Sequence, residues 1–176
     1  MKLIPCFLIA CERVLACGQQ TSQSAKQLDS LAFMKGDWSG KQDFNNQGGT
    51  AMVGDATDRI DVCIAGKYLC EMLSTTLPGR KPTDTRHFIS YDKESGKYTA
   101  WWFNDTSTHP TALAGDFTGG KLVLLSDPEG AGPLLRATYE SPRPDTLTFL
   151  LEMKTGDAWT KLFLTTYSKR AESAQR

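Results

Sequence analysis

The sequence predicts an all-β chain closed into an antiparallel barrel of about ten strands, preceded by one short helix. Three observations carry this expectation. From Gly36 onward, clusters of Gly, Pro, Asn and Asp recur about every eight to twelve residues. The intervals between them are rich in β-branched and aromatic residues, the rhythm of hairpins rather than of βαβ units. A sheet of so many short strands exposes unpaired edges unless it closes on itself, so closure is the expected outcome.

Size and charge narrow the remaining classes. A chain of 176 residues with 40% hydrophobic and 23% charged residues fills one domain and not two. Lys and Arg total 20 and so do Asp and Glu, which leaves no electrostatic footprint for nucleic acid or for an anionic membrane surface. No apolar run reaches the roughly eighteen residues of a bilayer span.

Residues 1–17 differ from the rest. Met1-Lys2 precedes the short apolar stretch Leu3-Ile4-Pro5-Cys6-Phe7-Leu8-Ile9-Ala10, the layout of an export signal. Val14-Leu15-Ala16-Cys17 resembles a bacterial lipobox, in which the cysteine thiol becomes the lipid-bearing first residue, and Leu8-Ile9-Ala10-Cys11 is a competing box. Residues 18–27, polar and Gln/Ser-rich, fit a tether from such an anchor. The expectation is an exported protein of the bacterial periplasm, or a membrane-anchored lipoprotein through Cys17. The helix comes next. Ser24-Ala25-Lys26-Gln27 has the S-x-x-Q capping pattern, and Leu28, Leu31 and Ala32 follow at helical spacing before Gly36. The barrel is expected over 28–170, with a tail at 171–176.

Once a leader is removed and Cys17 acylated, only Cys63 and Cys70 remain of five cysteines. They flank Gly66-Lys67, which reads as a two-residue type II′ hairpin turn placing Cys63 opposite Cys70. The pair is a candidate disulfide; two free thiols packed as small apolar groups are the alternative. In the same hairpin Ile60, Val62, Ile64, Leu69 and Leu73 share the inward face, and Glu71 falls among them. A carboxylate there needs a partner, since an isolated buried charge costs several kcal/mol. Arg86, in phase with Phe88, and Arg136 are the candidate partners. Asn104 shares a face with Tyr98, Ala100 and Trp102. Glu71, Arg86, Tyr98, Trp102, Asn104 and Arg136 therefore form the candidate ligand-binding set of a barrel lumen, the alternative being a purely structural ion pair. Asp55, Asp58 and Asp61, spaced by three on an extended segment, make a poor calcium loop and read as surface residues. The inward phase of 146–168 is ambiguous.

The segment Leu31-Ala32-Phe33-Met34-Lys35-Gly36-Asp37-Trp38, a helix running into Gly-x-Trp, resembles the opening of lipocalin-like (calycin) barrels, and Thr166-Tyr167-Ser168-Lys169-Arg170 resembles their closing strand. Ile89-Ser90-Tyr91-Asp92, Gly96-Lys97-Tyr98-Thr99-Ala100-Trp101-Trp102-Phe103 and Leu113-Ala114-Gly115-Asp116-Phe117 are similar to a family of exported bacterial barrels of unknown function. The resemblance implies that Trp38 plugs one end and that a basic residue stacks on it, Arg170 or alternatively Lys169. Related barrels include the haem-binding nitrobindins, where a wall histidine holds iron; of the two histidines here, His87 and His109, neither stands in a matching context. No cofactor and no metal are expected. Nucleophile elbow, P-loop, dinucleotide fingerprint and His-Glu-x-x-His are all missing from the sequence. The resulting expectation is a non-enzymatic carrier of a small, largely apolar molecule. A filled barrel acting as an envelope interaction protein is the alternative, and an enzyme using the lumen with Glu71 as acid or base comes third.

Overall fold

The computed structural model describes residues 26–45, 51–129 and 132–171. Ten strands follow one another as antiparallel neighbours: β1 (Gly36–Phe44), β2 (Met52–Cys63), β3 (Tyr68–Thr76), β4 (Thr83–Asp92), β5 (Lys97–Asn104), β6 (Thr111–Thr118), β7 (Lys121–Ser126), β8 (Leu135–Arg143), β9 (Thr146–Thr155) and β10 (Ala158–Lys169). β10 pairs with β1, and the sheet closes. The predicted architecture is the observed one. Closure leaves no edge strand among the ten, which is why so many short strands form one unit.

The N-terminal segment and the turns after β2, β4, β6 and β8 gather at one end. Residues 26–29 are helical and a 3₁₀ turn follows at Ala32–Met34. Leu28, Leu31 and Met34 are buried against the barrel, while Ala32, expected on the same face, is exposed. The change from α to 3₁₀ geometry moves it off that face. Ser24 of the expected capping pattern and the expected leader with Cys17 lie outside the described residues. Trp38 Nε1 donates to the Met34 carbonyl at 2.7 Å, and Tyr98 Oη donates to the Gln27 carbonyl at 2.8 Å. Together these bonds hold the plug in the barrel end.

The residue stacked on Trp38 is Lys169 and not Arg170. Lys169 Nζ lies 5.5 Å from the ring centroid, whereas Arg170 uses its backbone N–H to bond Asp37. Lys169 is opposite Trp38 in the β1–β10 register, which decides between the two. Gly36 makes room for it: at φ +137° a side chain is strained, and a Cβ there would stand 2.9 Å from Lys169 Cε.

Two further expectations change. The β2–β3 connection has four residues, 64–67, with Ile64, Ala65 and Gly66 all at positive φ. Cys63 is therefore opposite Tyr68, and Asp61 opposite Cys70. A disulfide joins Cys63 and Cys70 diagonally on the outer face, with a Cα–Cα distance of 5.9 Å. Ile64 sits in the turn and is exposed, and Val62, though in the inward phase, is exposed as well. The ambiguity of the last hairpin is resolved by a bulge between Lys161 and Phe163. It reverses the phase, so that Phe163, Thr165 and Tyr167 face inward with Leu147, Phe149 and Leu151, while Trp159 faces outward.

Candidate functional site

Inward positions of β2, β3, β4, β5, β8, β9 and β10 converge in mid-barrel. In register, Glu71, His87 and Trp102 lie side by side on β3, β4 and β5. Tyr139 and Phe149 lie side by side on β8 and β9, on the opposite wall. Polar contacts cross the lumen between the two walls. His87 Nδ1 lies 2.6 Å from Glu71 Oε2, Tyr139 Oη donates to the same oxygen at 2.9 Å, and His87 Nδ1 lies 3.1 Å from Tyr139 Oη. Glu71 is 1% and His87 2% exposed.

Aromatic rings frame this cluster. His87 stacks on Trp102 at 4.6 Å between centroids, and Tyr139 on Phe149 at 4.5 Å. Trp102 meets Phe149 edge-on at 5.7 Å, and Phe149 meets Phe163 at 5.4 Å, so the rings form a belt across the barrel. Beside Glu71 sits Asp58, 4% exposed, on β2. Gln42 and Thr75, also buried, bond to each other at 2.7 Å.

The electrostatics follow from burial. Burial first, and the Glu71 charge second, push the Asp58 carboxyl up to about 10. Burial raises Glu71 to about 7, against the pull of the hydrogen bonds from Asp58 and Tyr139. Burial lowers His87 to about 3, so the imidazole is neutral. Tyr139 and Tyr167 are both raised, by burial and by the acids they face. Beyond the Asp58–Glu71 and Thr165–Tyr167 contacts, six buried polar atoms find no hydrogen-bond partner: both Asp58 oxygens, Glu71 Oε1, Trp102 Nε1, Thr165 Oγ1 and Tyr167 Oη. Most interior polar groups in folded proteins are satisfied, so a cluster of exceptions at one level of a lumen calls for an explanation.

Of the six residues expected to bind ligand, the structure brings two, Glu71 and Trp102, into this cluster. Tyr98 faces inward but is committed to the plug at Gln27. Asn104 lies at the far rim, its Oδ1 accepting from the Thr106 N–H and hydroxyl at 3.0 and 2.6 Å. Arg86 is exposed on the outer face and bonds its neighbour's carbonyl, because the inward phase of β4 belongs to His87 and Ile89 and not to Phe88. Arg136 is also on the outer face, paired with Glu152 at 2.7 Å and lying over Trp159. Neither arginine reaches Glu71; its partners are His87 and Tyr139. Asp58, read from sequence as a surface residue, is interior. Asp55 and Asp61 are the exposed members of that trio, Asp55 pairing with Lys41. The signal for Asp58 was its phase, shared with Ala56 and Ile60. Tyr139, Tyr167 and Thr165 had no comparable signal, since their inward phase depends on cross-barrel pairing and on the β10 bulge.

No group of three His, Cys, Asp or Glu among the described residues is disposed to hold a metal ion. His109 lies exposed in the β5–β6 loop. No described helix is long and apolar enough to cross a membrane. A separate groove of about 660 Å³ runs on the outer face of β5–β7 beside Trp101, Ala112, Ala114 and Leu125; it gathers no comparable cluster of buried polar groups.

Solved structures share the architecture. A crystal structure of Rv2717c from M. tuberculosis superposes with a TM-score of 0.63 at 14% identity, over 82% of this chain and 97% of that one. The S-type phycobiliprotein lyase CPES from Guillardia theta gives 0.59 at 10% identity, over 85% and 94%. At such identities the likeness is one of fold. No curated protein matches the sequence. Residues 23–170 match the family described as "Protein of unknown function (DUF1579)", and that span covers most of the chain, so the protein belongs to this family.

Proposed function

We propose that the protein is a binding or carrier barrel for a small, largely apolar molecule, taken into the lumen against the Glu71–His87–Tyr139 cluster and the ring belt of Trp102, Phe149 and Phe163. The observation that carries this reading is the set of six unpartnered buried polar atoms inside an aromatic lumen. A ligand with an apolar body and a few polar atoms would fill such a lining with matched hydrogen bonds. The architecture supports it as well: the barrel has one end plugged by Leu28, Leu31, Met34 and Trp38, and the segment running into Gly-x-Trp resembles the opening of lipocalin-like barrels.

Export belongs to the same proposal. The short apolar leader with its Val14-Leu15-Ala16-Cys17 box points to a lipid-anchored envelope protein, and a Cys63–Cys70 disulfide suits an oxidising compartment. The test is to purify the full chain from its native host and compare native and denaturing mass spectra with an absorbance spectrum. A small molecule present in the native mass and lost on denaturation supports the carrier reading, and a mass starting at acylated Cys17 supports the anchor. A native mass equal to the chain alone, together with tryptophan emission unmoved by extracts of the host membrane, overturns the carrier reading in favour of a filled barrel with an interaction role.

A further inference from the structure

The lining of the lumen is unbalanced in charge type. Two carboxyl groups, Asp58 and Glu71, are buried there, and the only base beside them is an imidazole kept neutral by its own burial. No lysine or arginine of the described residues compensates them. Lys41 and Lys97 pair with exposed aspartates, Lys121 pairs with Glu140, Lys161 with Asp43 and Arg136 with Glu152 on the outer face, and Lys169 lies at the plugged end. Buried carboxyl groups without a cation are otherwise costly to retain.

The two acids contact each other, and beyond that contact neither Asp58 oxygen nor Glu71 Oε1 has a hydrogen-bond partner. An alkylammonium group carries three N–H donors and no acceptor. An independent sign comes from the neutral side chains. Tyr167 Oη and Thr165 Oγ1, wholly buried on β10, have no partner beyond each other, and Tyr167 faces both acids. Around them stand the rings of Trp102, Phe149, Tyr139 and Tyr167, whose faces attract a cation.

We infer that the lumen takes an organic amine, an ammonium group on an apolar or aromatic body, with the ammonium set against Asp58 and Glu71. This rests on the carrier reading above and sharpens it. The groups facing the ammonium are Asp58 on β2, Glu71 on β3, His87 on β4, Tyr139 on β8 and Tyr167 on β10. His87 and the two tyrosines stay neutral near pH 7, so the acids alone adjust. The incoming positive charge favours their ionised forms, so binding at pH 7 comes with net proton release from the pair.

The test uses matched probes on the full chain: 1-naphthylmethylamine, 1-naphthalenemethanol and 1-naphthoate, with the benzyl series as a smaller set, by titration calorimetry and native mass spectrometry. The amine is expected to bind at least tenfold tighter than the alcohol at pH 8, and the carboxylate weakest. Calorimetry in buffers of different ionisation enthalpy should show net proton release on amine binding at pH 7. The preference should fall below threefold in Asp58→Asn and again in Glu71→Gln, each first shown to be folded by its near-UV circular dichroism. Asp58→Asn keeps the shape of the protonated carboxyl, so the test survives a failure of Glu71→Gln to fold. Equal or tighter binding of the alcohol overturns the amine assignment and leaves the carrier reading standing. Tightest binding of the carboxylate, an amine preference unchanged in Asp58→Asn, or no binding of any amine probe overturns it too. The carrier reading falls with it only if no probe binds, no molecule co-purifies and tryptophan emission is unmoved by host membrane extracts.

Discussion

Asp58→Asn should make the protein more stable at alkaline pH, the reverse of what loss of a surface aspartate would do. In the folded barrel Asp58 keeps its proton up to about 10, against 3.8 for an ordinary aspartate such as it becomes on unfolding. Between those values the folded state binds the extra proton, so the contribution to stability is complete below 3.8 and declines as pH rises toward 10. The other buried groups act in separate windows. His87, lowered to about 3, adds stability as pH rises toward 6.5 and nothing beyond. Glu71, raised to about 7, adds to the decline between 4.5 and 7 and levels off above it. Tyr139 and Tyr167, both raised, enter only as unfolded tyrosines ionise near 10. Between roughly pH 7.5 and 9, Asp58 alone among the buried groups sets the slope, at most about 1.4 kcal/mol per pH unit for one proton. The wild-type chain should thus lose up to about 2 kcal/mol across that interval, and Asp58→Asn should flatten the profile. The assay is guanidinium unfolding at three pH values under non-reducing conditions, followed by tryptophan fluorescence. Parallel profiles for the two proteins, or a lower midpoint for Asp58→Asn at pH 9, would refute the buried, protonated state of Asp58.

Trp102 separates packing from recognition. Trp102→Ala removes the stack on His87 and the edge contact with Phe149 and should cost about 3–5 kcal/mol in denaturant unfolding. Trp102→Phe, which deletes an N–H that bonds nothing in the protein, should cost under about 1.5 kcal/mol; a loss as large as that of the alanine change would contradict the unpartnered state of Nε1. Reducing the Cys63–Cys70 bridge, or replacing both cysteines by serine, should lower stability by about 2–3 kcal/mol, since the bridge closes a loop with a sequence separation of only 7. An unfolding midpoint unmoved by dithiothreitol would count against the bond. Gly36→Ala, at φ +137° and against the Lys169 stem, should cost about 1–3 kcal/mol, and Lys169→Ala about 0.5–1. Thermal melts of the pair of variants would show whether the larger loss falls on Gly36.

Strand number and closure were legible in the sequence because they rest on local signals, turn residues and alternation, and the Trp38 plug because the segment around Gly-x-Trp resembles the opening of lipocalin-like barrels. Glu71 and Trp102 were legible because the hairpin phase set by Leu69 and Leu73, and by Tyr98 and Ala100, carries them inward. The neighbours of Glu71 were not. On β4 either phase carries plausible inward residues, Arg86 with Phe88 or His87 with Ile89, and only pairing with β3 and β5 turns His87 inward. Tyr139 comes from the opposite wall, 68 residues along the chain, and Tyr167 faces inward only because the bulge at Lys161/Phe163 shifts the phase of β10. Asp58 read as one of three surface aspartates, although its phase, shared with Ala56 and Ile60, already put it on the inner side of β2. Period-two patterning lies within one strand, so the sequence by itself determined that a barrel forms and roughly where each strand runs. Which polar groups meet inside depends on barrel closure and strand register, and these join residues with no sequence relation to one another; that Glu71 meets His87 and Tyr139 rather than an arginine was decided by the tertiary structure.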